Sequence, residues 1–296
     1  MYLEQRAIAN IRLGAQMSEQ YYNEPIICTY SGGKDSDVML DLFIKSGVDF
    51  EVQNHHTTVD APQTVYHIRD TFKRLEDMGI KATVTYPVYK GKRTSMWGLI
   101  EQKGMPPTRL MRYCCQVLKE TGGANRVIAT GVRKDESTNR KTRNEVEYIA
   151  AKKSDAIRIT SDDLLDFDNA DGRRIIEHCT LKSKISINPI IDWTNSDIWR
   201  YIRENGIKYN PLYDMGYNRV GCVGCPMGGC KNMKREFADF PIYKQNYIKA
   251  FDRMVKHRKE MGRPTIFKDG QDVFDWWIDD KNYIKGQMSL FGEDDQ

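Results

Sequence analysis

No apolar run in this sequence approaches the ~20 residues that a membrane-spanning helix needs. The first segment, Met1 to Tyr22, is polar and amphipathic and lacks the apolar core of a signal peptide. Internal repeats and low-complexity stretches are absent too. Net charge is small, +4 over 296 residues, so no global basic field demands nucleic acid. The seven cysteines do not form the even, closely spaced framework of a small secreted domain. Reduced thiols in a cytoplasmic protein are the expectation, and clustered cysteines then point to metal or redox chemistry. Residues 231–296 contain no cysteine.

The most informative stretch that is present reads CTYSGGKDSDVMLDLFIKSG, residues 28–47. Before it, Pro25 leads into an apolar run ending at Tyr30, which reads as a buried strand. Ser31-Gly32-Gly33 is a turn, and residues 35–45 carry apolar side chains at helical spacing until Ser46-Gly47 closes the helix. Two glycines let backbone approach an anion. A helix start directs free N–H groups and a positive dipole end at the same spot. Ser31 and Ser36 add hydroxyls, and Lys34 adds a cation. A capped turn without ligand is the alternative.

Further along, helical stretches separate strands at residues 24–30, 50–55, 81–86 and 126–130, with one more expected at 186–190. A mostly parallel α/β sheet with helices on both faces follows, and ligands on such sheets sit beyond the strand C-termini. The second motif, TGVRKDESTNR, follows a strand end at Thr130-Gly131. Arg133 has the fork geometry for phosphate oxygens, while Glu136 and Ser137 suit a sugar hydroxyl or a metal. A solvated charged loop is its plain reading. In the third, residues 187–225, Thr194 and Asp197 form a helix-capping pair, and Asn205-Gly206 stops that helix.

Ser31-Gly32-Gly33-Lys34-Asp35-Ser36 resembles the PP-loop of the ATP pyrophosphatase superfamily. With Gly131–Ser137 and the third block, residues 24–226 resemble the sulfonucleotide reductases. That resemblance implies a PP-loop, adenine-nucleotide α-hydrolase-like domain over residues 1–226 and a helical C-terminal extension over 227–296. It implies ATP or an adenylyl-sulfate nucleotide as ligand, held by Ser31–Ser36 at the phosphate or sulfate end. His56, Thr57 and Thr58 lie near the adenosine, and Gly131, Arg133, Glu136 and Ser137 line the cleft. Lys34, Asp35 and Arg133 are the candidate catalytic groups, with Asp35 the nearest carboxylate for Mg²⁺.

In the iron–sulfur branch of that family, an adjacent Cys pair and a later Cys-x-x-Cys hold a four-iron, four-sulfur cluster. Here these are Cys114-Cys115 and Cys222/Cys225, flanked by Arg112 and Lys119. Zinc is the rival for four thiolates, and Cys230 is an alternative ligand. Cys28 reads as core packing, and Cys179 has no assigned role. The reductases carry their attacking thiolate in a C-terminal tail, and the last cysteine here is Cys230. Reduction with thioredoxin is therefore not expected. Adenylylation of an acceptor, with sulfur from a cysteine desulfurase, is expected instead. A non-catalytic binding module and a true reductase with a displaced thiol are the alternatives. Basic segments at 133–153, with Arg140, Lys141, Arg143, Lys152 and Lys153, and at 231–259 suit a nucleic-acid backbone, or solvated helix faces.

Overall fold

The structure is a computed structural model and describes residues 2–119, 123, 125–136, 140–149 and 184–279. Along the chain its elements are α1 (Tyr2–Tyr22), β1 (Ile26–Thr29), α2 (Lys34–Ser46), β2 (Phe50–His55), α3 (Pro62–Asp77), β3 (Ala82–Thr85), β4 (Val88–Tyr89) and β5 (Lys92–Arg93). Then come α4 (Met96–Lys103), α5 (Tyr113–Leu118), β6 (Val127–Ala129), β7 (Val146–Ile149), β8 (Lys184–Ile187), α6 (Asn195–Glu204), α7 (Cys230–Asp239), α8 (Pro241–Glu260) and α9 (Gly270–Ile278). No described helix is long and apolar enough to cross a membrane.

The chain divides into two compact units. The first comprises Met1–His55, Pro62–Thr85 and Gly122–Val220, and the second His56–Ala61, Tyr86–Thr121 and Gly221–Gln296. In the first, six strands form one sheet in the order β3-β2-β1-β6-β8-β7. All neighbours are parallel except β7, which runs antiparallel to β8 at the edge. The α/β expectation therefore holds, with an antiparallel edge strand that the sequence reading did not anticipate. Consecutive residues of β1 and β6 are buried, as in parallel strands covered on both faces.

Strand order reverses at β1: β2 and β3 lie to one side, β6 and β8 to the other. The crevice between the C-terminal ends of β1 and β6 is thus a topological switch point, the place where open α/β sheets receive ligands. Thr29 Oγ1 donates to the Ala129 carbonyl at 2.7 Å and ties those two ends together.

The second unit holds the hairpin β4–β5, helices α4 and α5, and the C-terminal helices α7 to α9. The last three close around Phe237, Tyr247, Phe251, Phe274 and Trp277. The helical C-terminal region agrees with expectation, whereas the hairpin and α5 were not foreseen.

Candidate functional site

The loop after β1 is built as its composition requires. Gly32 has φ 71°, and a Cβ there would lie 2.8 Å from Ile68 Cγ1. Both the left-handed backbone and the close packing on α3 call for glycine. Gly33 differs. It is extended (φ −99°, ψ 159°) as the residue before α2, and a Cβ there would meet only Tyr213 Oη at 3.6 Å and Ser31 Oγ at 3.7 Å. A side chain at 33 therefore forces no disfavoured backbone. Ser36 Oγ accepts from Gly33 N at 3.1 Å and donates to Gly33 O at 2.7 Å, closing the first turn. The first-turn N–H groups of Asp35 and Ser36 have no intrahelical acceptor by construction.

A second clamp comes from the Asn210–Tyr213 turn. Asn210 Nδ2 donates to Gly32 O at 2.8 Å and to Thr64 Oγ1 at 3.0 Å. Lys34 N donates to Tyr213 Oη at 3.1 Å. Trp199 packs edge-on against both Tyr209 and Tyr213, at 5.3 and 5.2 Å, which fixes the phenol over the helix start. Burial pushes the Tyr213 phenol well above its usual range, so it acts there as a neutral hydroxyl. Beneath the loop, Tyr30 Oη donates to Asp37 Oδ1 at 2.5 Å, and His67 Nε2 lies 2.8 Å from the same oxygen. All three are buried. Neither clamp was singled out from sequence, although Asn210 and Tyr213 sit in a turn whose aromatic content was visible.

The three candidate catalytic residues meet. Asp35 Oδ1 accepts from Arg133 Nε at 2.6 Å, and its Oδ2 lies 3.0 Å from Lys34 Nζ. Arg133 is 2% exposed, and its Nη1 donates to Trp193 O at 3.2 Å. Gly131 brings the second loop against Asp35, whose backbone carbon would be 3.5 Å from a Cβ at 131. Glu136 lies 3.9 Å from Arg133 and also pairs with Arg140. Burial, then repulsion from Arg219 and Arg143, pulls the Arg140 guanidinium below its usual value. Ser137 lies outside the described residues.

His56, Thr57 and Thr58 belong to the second unit. Thr57 is buried, and its N–H donates to Asp60 Oδ2 at 3.2 Å. Thr58 Oγ1 accepts from Met96 N at 2.9 Å. Thr58 also holds φ 67°, unusual for a β-branched residue. Val59 N donates to the Thr57 hydroxyl at 3.4 Å, and His56 and Thr58 are both partly exposed.

The four candidate thiols also fall in the second unit. Cys114 and Cys115 open α5. Cys222 bridges to Asp60, and Cys225 N donates to Cys222 O at 3.2 Å. A hydrogen bond with Cys114, then the Arg112 guanidinium at 3.4 Å and Lys119, lower the Cys115 thiol, while the same hydrogen bond and burial raise that of Cys114. Cys222 leads the groups that raise the Lys119 ammonium. Thiol chemistry and flanking cations fit a polyanionic thiolate centre. Among the described residues, no group of three or more His, Cys, Asp or Glu is arranged to hold a metal ion. Cys230 is buried at the start of α7. Cys28 is fully buried in β1, and burial raises its thiol far above the ordinary value. Cys179 lies outside the described residues.

A glycine turn between the first strand and its helix, at the crevice where strand order reverses, defines a PP-loop domain. A model of the phosphoadenosine phosphosulfate reductase domain matches residues 25–227, and the chain belongs to that family. Two uncharacterised proteins of Methanocaldococcus jannaschii are 27% and 29% identical over 72% and 88% of this chain, which spans only 39% and 54% of their lengths. The adenosine 5′-phosphosulfate reductase of Oceanobacillus iheyensis is 26% identical, over 71% of this chain and 75% of its own. Among solved structures, the phosphoadenylyl-sulfate reductase of Candida auris in its phosphate complex is 18% identical. It covers 74% of this chain and 93% of its own at a TM-score of 0.41, a likeness too slight to decide anything about the site.

Proposed function

We propose that this chain is an enzyme that binds an adenine nucleotide, with its phosphates over Gly32, Gly33 and the first turn of α2. ATP is the nucleotide that fits best, cleaved between its α and β phosphates so that AMP is transferred to an acceptor and pyrophosphate leaves. Sulfide then attacks the adenylylated acceptor and expels AMP; where a cysteine desulfurase persulfide is the source, a thiol supplies the two electrons that release its outer sulfur as sulfide. The observation that carries this reading is the charge arrangement at the loop. Lys34 and Arg133 converge on Asp35 beside a helix start whose Gly33 is open to close approach. Such a site stabilises negative charge that builds on phosphate oxygens. A sulfonucleotide fits the same cradle, as the names of the relatives indicate.

Reduction requires a thiolate that reaches the sulfur. In the first unit the described thiol, Cys28, is buried within the sheet, where ionisation is costly. Cys28 is therefore not the attacking thiol of a reduction. Both oxygens of Asp35 already face cations. Mg²⁺ is therefore expected to arrive on the nucleotide's phosphates, which it commonly does, rather than on a preformed carboxylate site. Cys114, Cys115, Cys222 and Cys225 would hold a four-iron, four-sulfur cluster, or zinc, if they draw together on binding it.

The test is a two-product assay on the full chain. Pyrophosphate release from ATP with candidate acceptors, and no sulfite from labelled adenylyl sulfate with reduced thioredoxin, supports the reading. Sulfite release, lost in Cys179→Ser or Cys230→Ser, would replace it with reduction by a displaced thiol.

A further inference from the structure

Several of the cations expected to track a nucleic-acid backbone have carboxylate partners. Arg143 pairs with Glu147, Arg140 with Glu136, Arg235 with Asp239, Lys256 with Glu260 and Arg253 with Glu101. Arg258 is buried and donates to the carbonyls of Gly104 and Pro264. Lys152 and Lys153 lie outside the described residues. Positive charge gathers elsewhere. Between Tyr86 and Lys119, in the second unit, every charged residue except Glu101 is Lys or Arg. The whole chain carries only +4, so this excess is local.

The hairpin β4–β5 presents it. Val88 stands opposite Arg93 and Tyr89 opposite Lys92. Lys90 and Gly91 make the two-residue turn with φ 51° and 75°, the left-handed pair such hairpins favour. Alternation separates two faces. On one, the Arg93 guanidinium lies 3.8 Å from the Tyr86 ring centre, and His56 meets Tyr86 edge-on at 5.6 Å. Tyr86 is nevertheless 49% exposed. On the other, the Lys103 ammonium sits 4.6 Å from the Tyr89 ring. Hydrogen bonding from Lys103 and the charge of Lys90 hold the Tyr89 phenol below its usual value, a mark of the local positive field. Among the described residues, Lys90, Lys92 and Arg93 have no carboxylate within ion-pair distance.

We propose that this hairpin is a docking surface for single-stranded nucleic acid. Tyr86, braced by Arg93 and His56, takes an unpaired base by stacking on one face, and the strand's backbone passes over the hairpin tip so that Lys90 and, on the other face, Lys92 take the flanking phosphates. Exposed aromatic area beside unneutralised cations is what sequence-tolerant strand binding uses. A duplex keeps its base faces inside and offers such a ring nothing. The surface lies wholly in the second unit, and His56, which the resemblance places near the adenosine, is the residue it shares with the nucleotide site.

Fluorescence anisotropy of the full chain tests it, using labelled 20-nucleotide RNA and DNA strands, a duplex, an abasic strand and heparin as competitor. Single strands should bind more tightly than duplex or abasic strand, with affinity falling as salt rises. Tyr86→Ala should weaken binding roughly five- to a hundredfold, while Tyr86→Phe keeps it. Lys90→Asn with Lys92→Ala should reduce the salt slope by about 1.4, two phosphates' worth on a single strand. Melting temperature should stay unchanged in these variants, and ATP binding in the Lys90→Asn with Lys92→Ala variant. A preference for RNA or for DNA names the strand and supports the proposal either way. Equal affinity for abasic strand, duplex and heparin, or no effect of Tyr86→Ala, would overturn it in favour of a generic polyanion site. Absence of strand binding at low salt would overturn it outright.

Discussion

Gly32 and Gly33 are adjacent, yet alanine at each should fail for different reasons. At Gly33 the backbone is already extended, and the added methyl would rest at ordinary contact distance, 3.6 Å or more, from its protein neighbours. Gly→Ala at a compatible conformation stabilises by about 0.4–1 kcal/mol through the unfolded chain. Gly33→Ala should therefore melt at or slightly above wild type. What it removes is the open approach of an anion to the loop. Losing one charge-assisted contact there costs about 1.5–3 kcal/mol, roughly ten- to 150-fold in affinity. At Gly32 the opposite holds. A left-handed φ of 71° and a contact of 2.8 Å with Ile68 Cγ1 cost about 2–4 kcal/mol in strain and overpacking. Gly32→Ala should lower the melting temperature by several degrees, at about 2–4 °C per kcal/mol for a chain of this size. Calorimetric binding of ATP and adenylyl sulfate, beside thermal melts, separates the two. Gly33→Ala that keeps both affinities within about twofold would refute the placement of phosphate over this loop.

Other consequences are equally specific. Burial alone would raise Glu51, but Lys81 at 2.7 Å and Arg126 at 2.8 Å outweigh it and hold the carboxyl below its usual value. That stabilisation is present above the unfolded carboxyl value and is lost as pH falls through the lowered folded one. Glu51→Gln should therefore cost about 1–3 kcal/mol at pH 7 and flatten the acid limb of the stability curve; identical pH dependence in denaturant melts would contradict this. Tyr213→Phe frees the Lys34 N–H while keeping the Trp199 contact. Stability should fall by about 0.5–1.5 kcal/mol with nucleotide affinity held or raised, and a tenfold loss would mean that the phenol donates to the ligand. If the cysteines hold a cluster, anaerobic protein carries about four iron atoms per chain and Cys222→Ser loses them. Stoichiometric zinc in wild type would assign the thiols to zinc instead.

Much of the first unit was legible because its signals are local. The PP-loop residues, the capping pair Thr194 and Asp197, and the parallel strands each follow from a few neighbouring residues. The structure returns that box, with Asp197 Oδ2 accepting from Thr194 N at 2.9 Å. Groups paired across long separations were not legible. Asn210 reaches Gly32 and Arg133 reaches Asp35 through the fold alone. The edge strand Val146–Ile149 is short, and its pairing with β8 is set by a segment far along the chain. Basic stretches were legible, but their neutralisation was not. Arg235 and Lys256 have helical i,i+4 partners and Arg140, Arg143 and Arg253 pair outside that pattern, while the brief VYKGKR hairpin keeps its charge.

The most direct test of the central claim is a crystal structure with a non-hydrolysable ATP analogue. The account predicts phosphate oxygens within hydrogen-bonding distance of the backbone at Gly33 and the first turn of α2, with Lys34 or Arg133 turned from Asp35 toward them. Analogue bound elsewhere, with the Lys34–Asp35–Arg133 bridge unchanged, would contradict it.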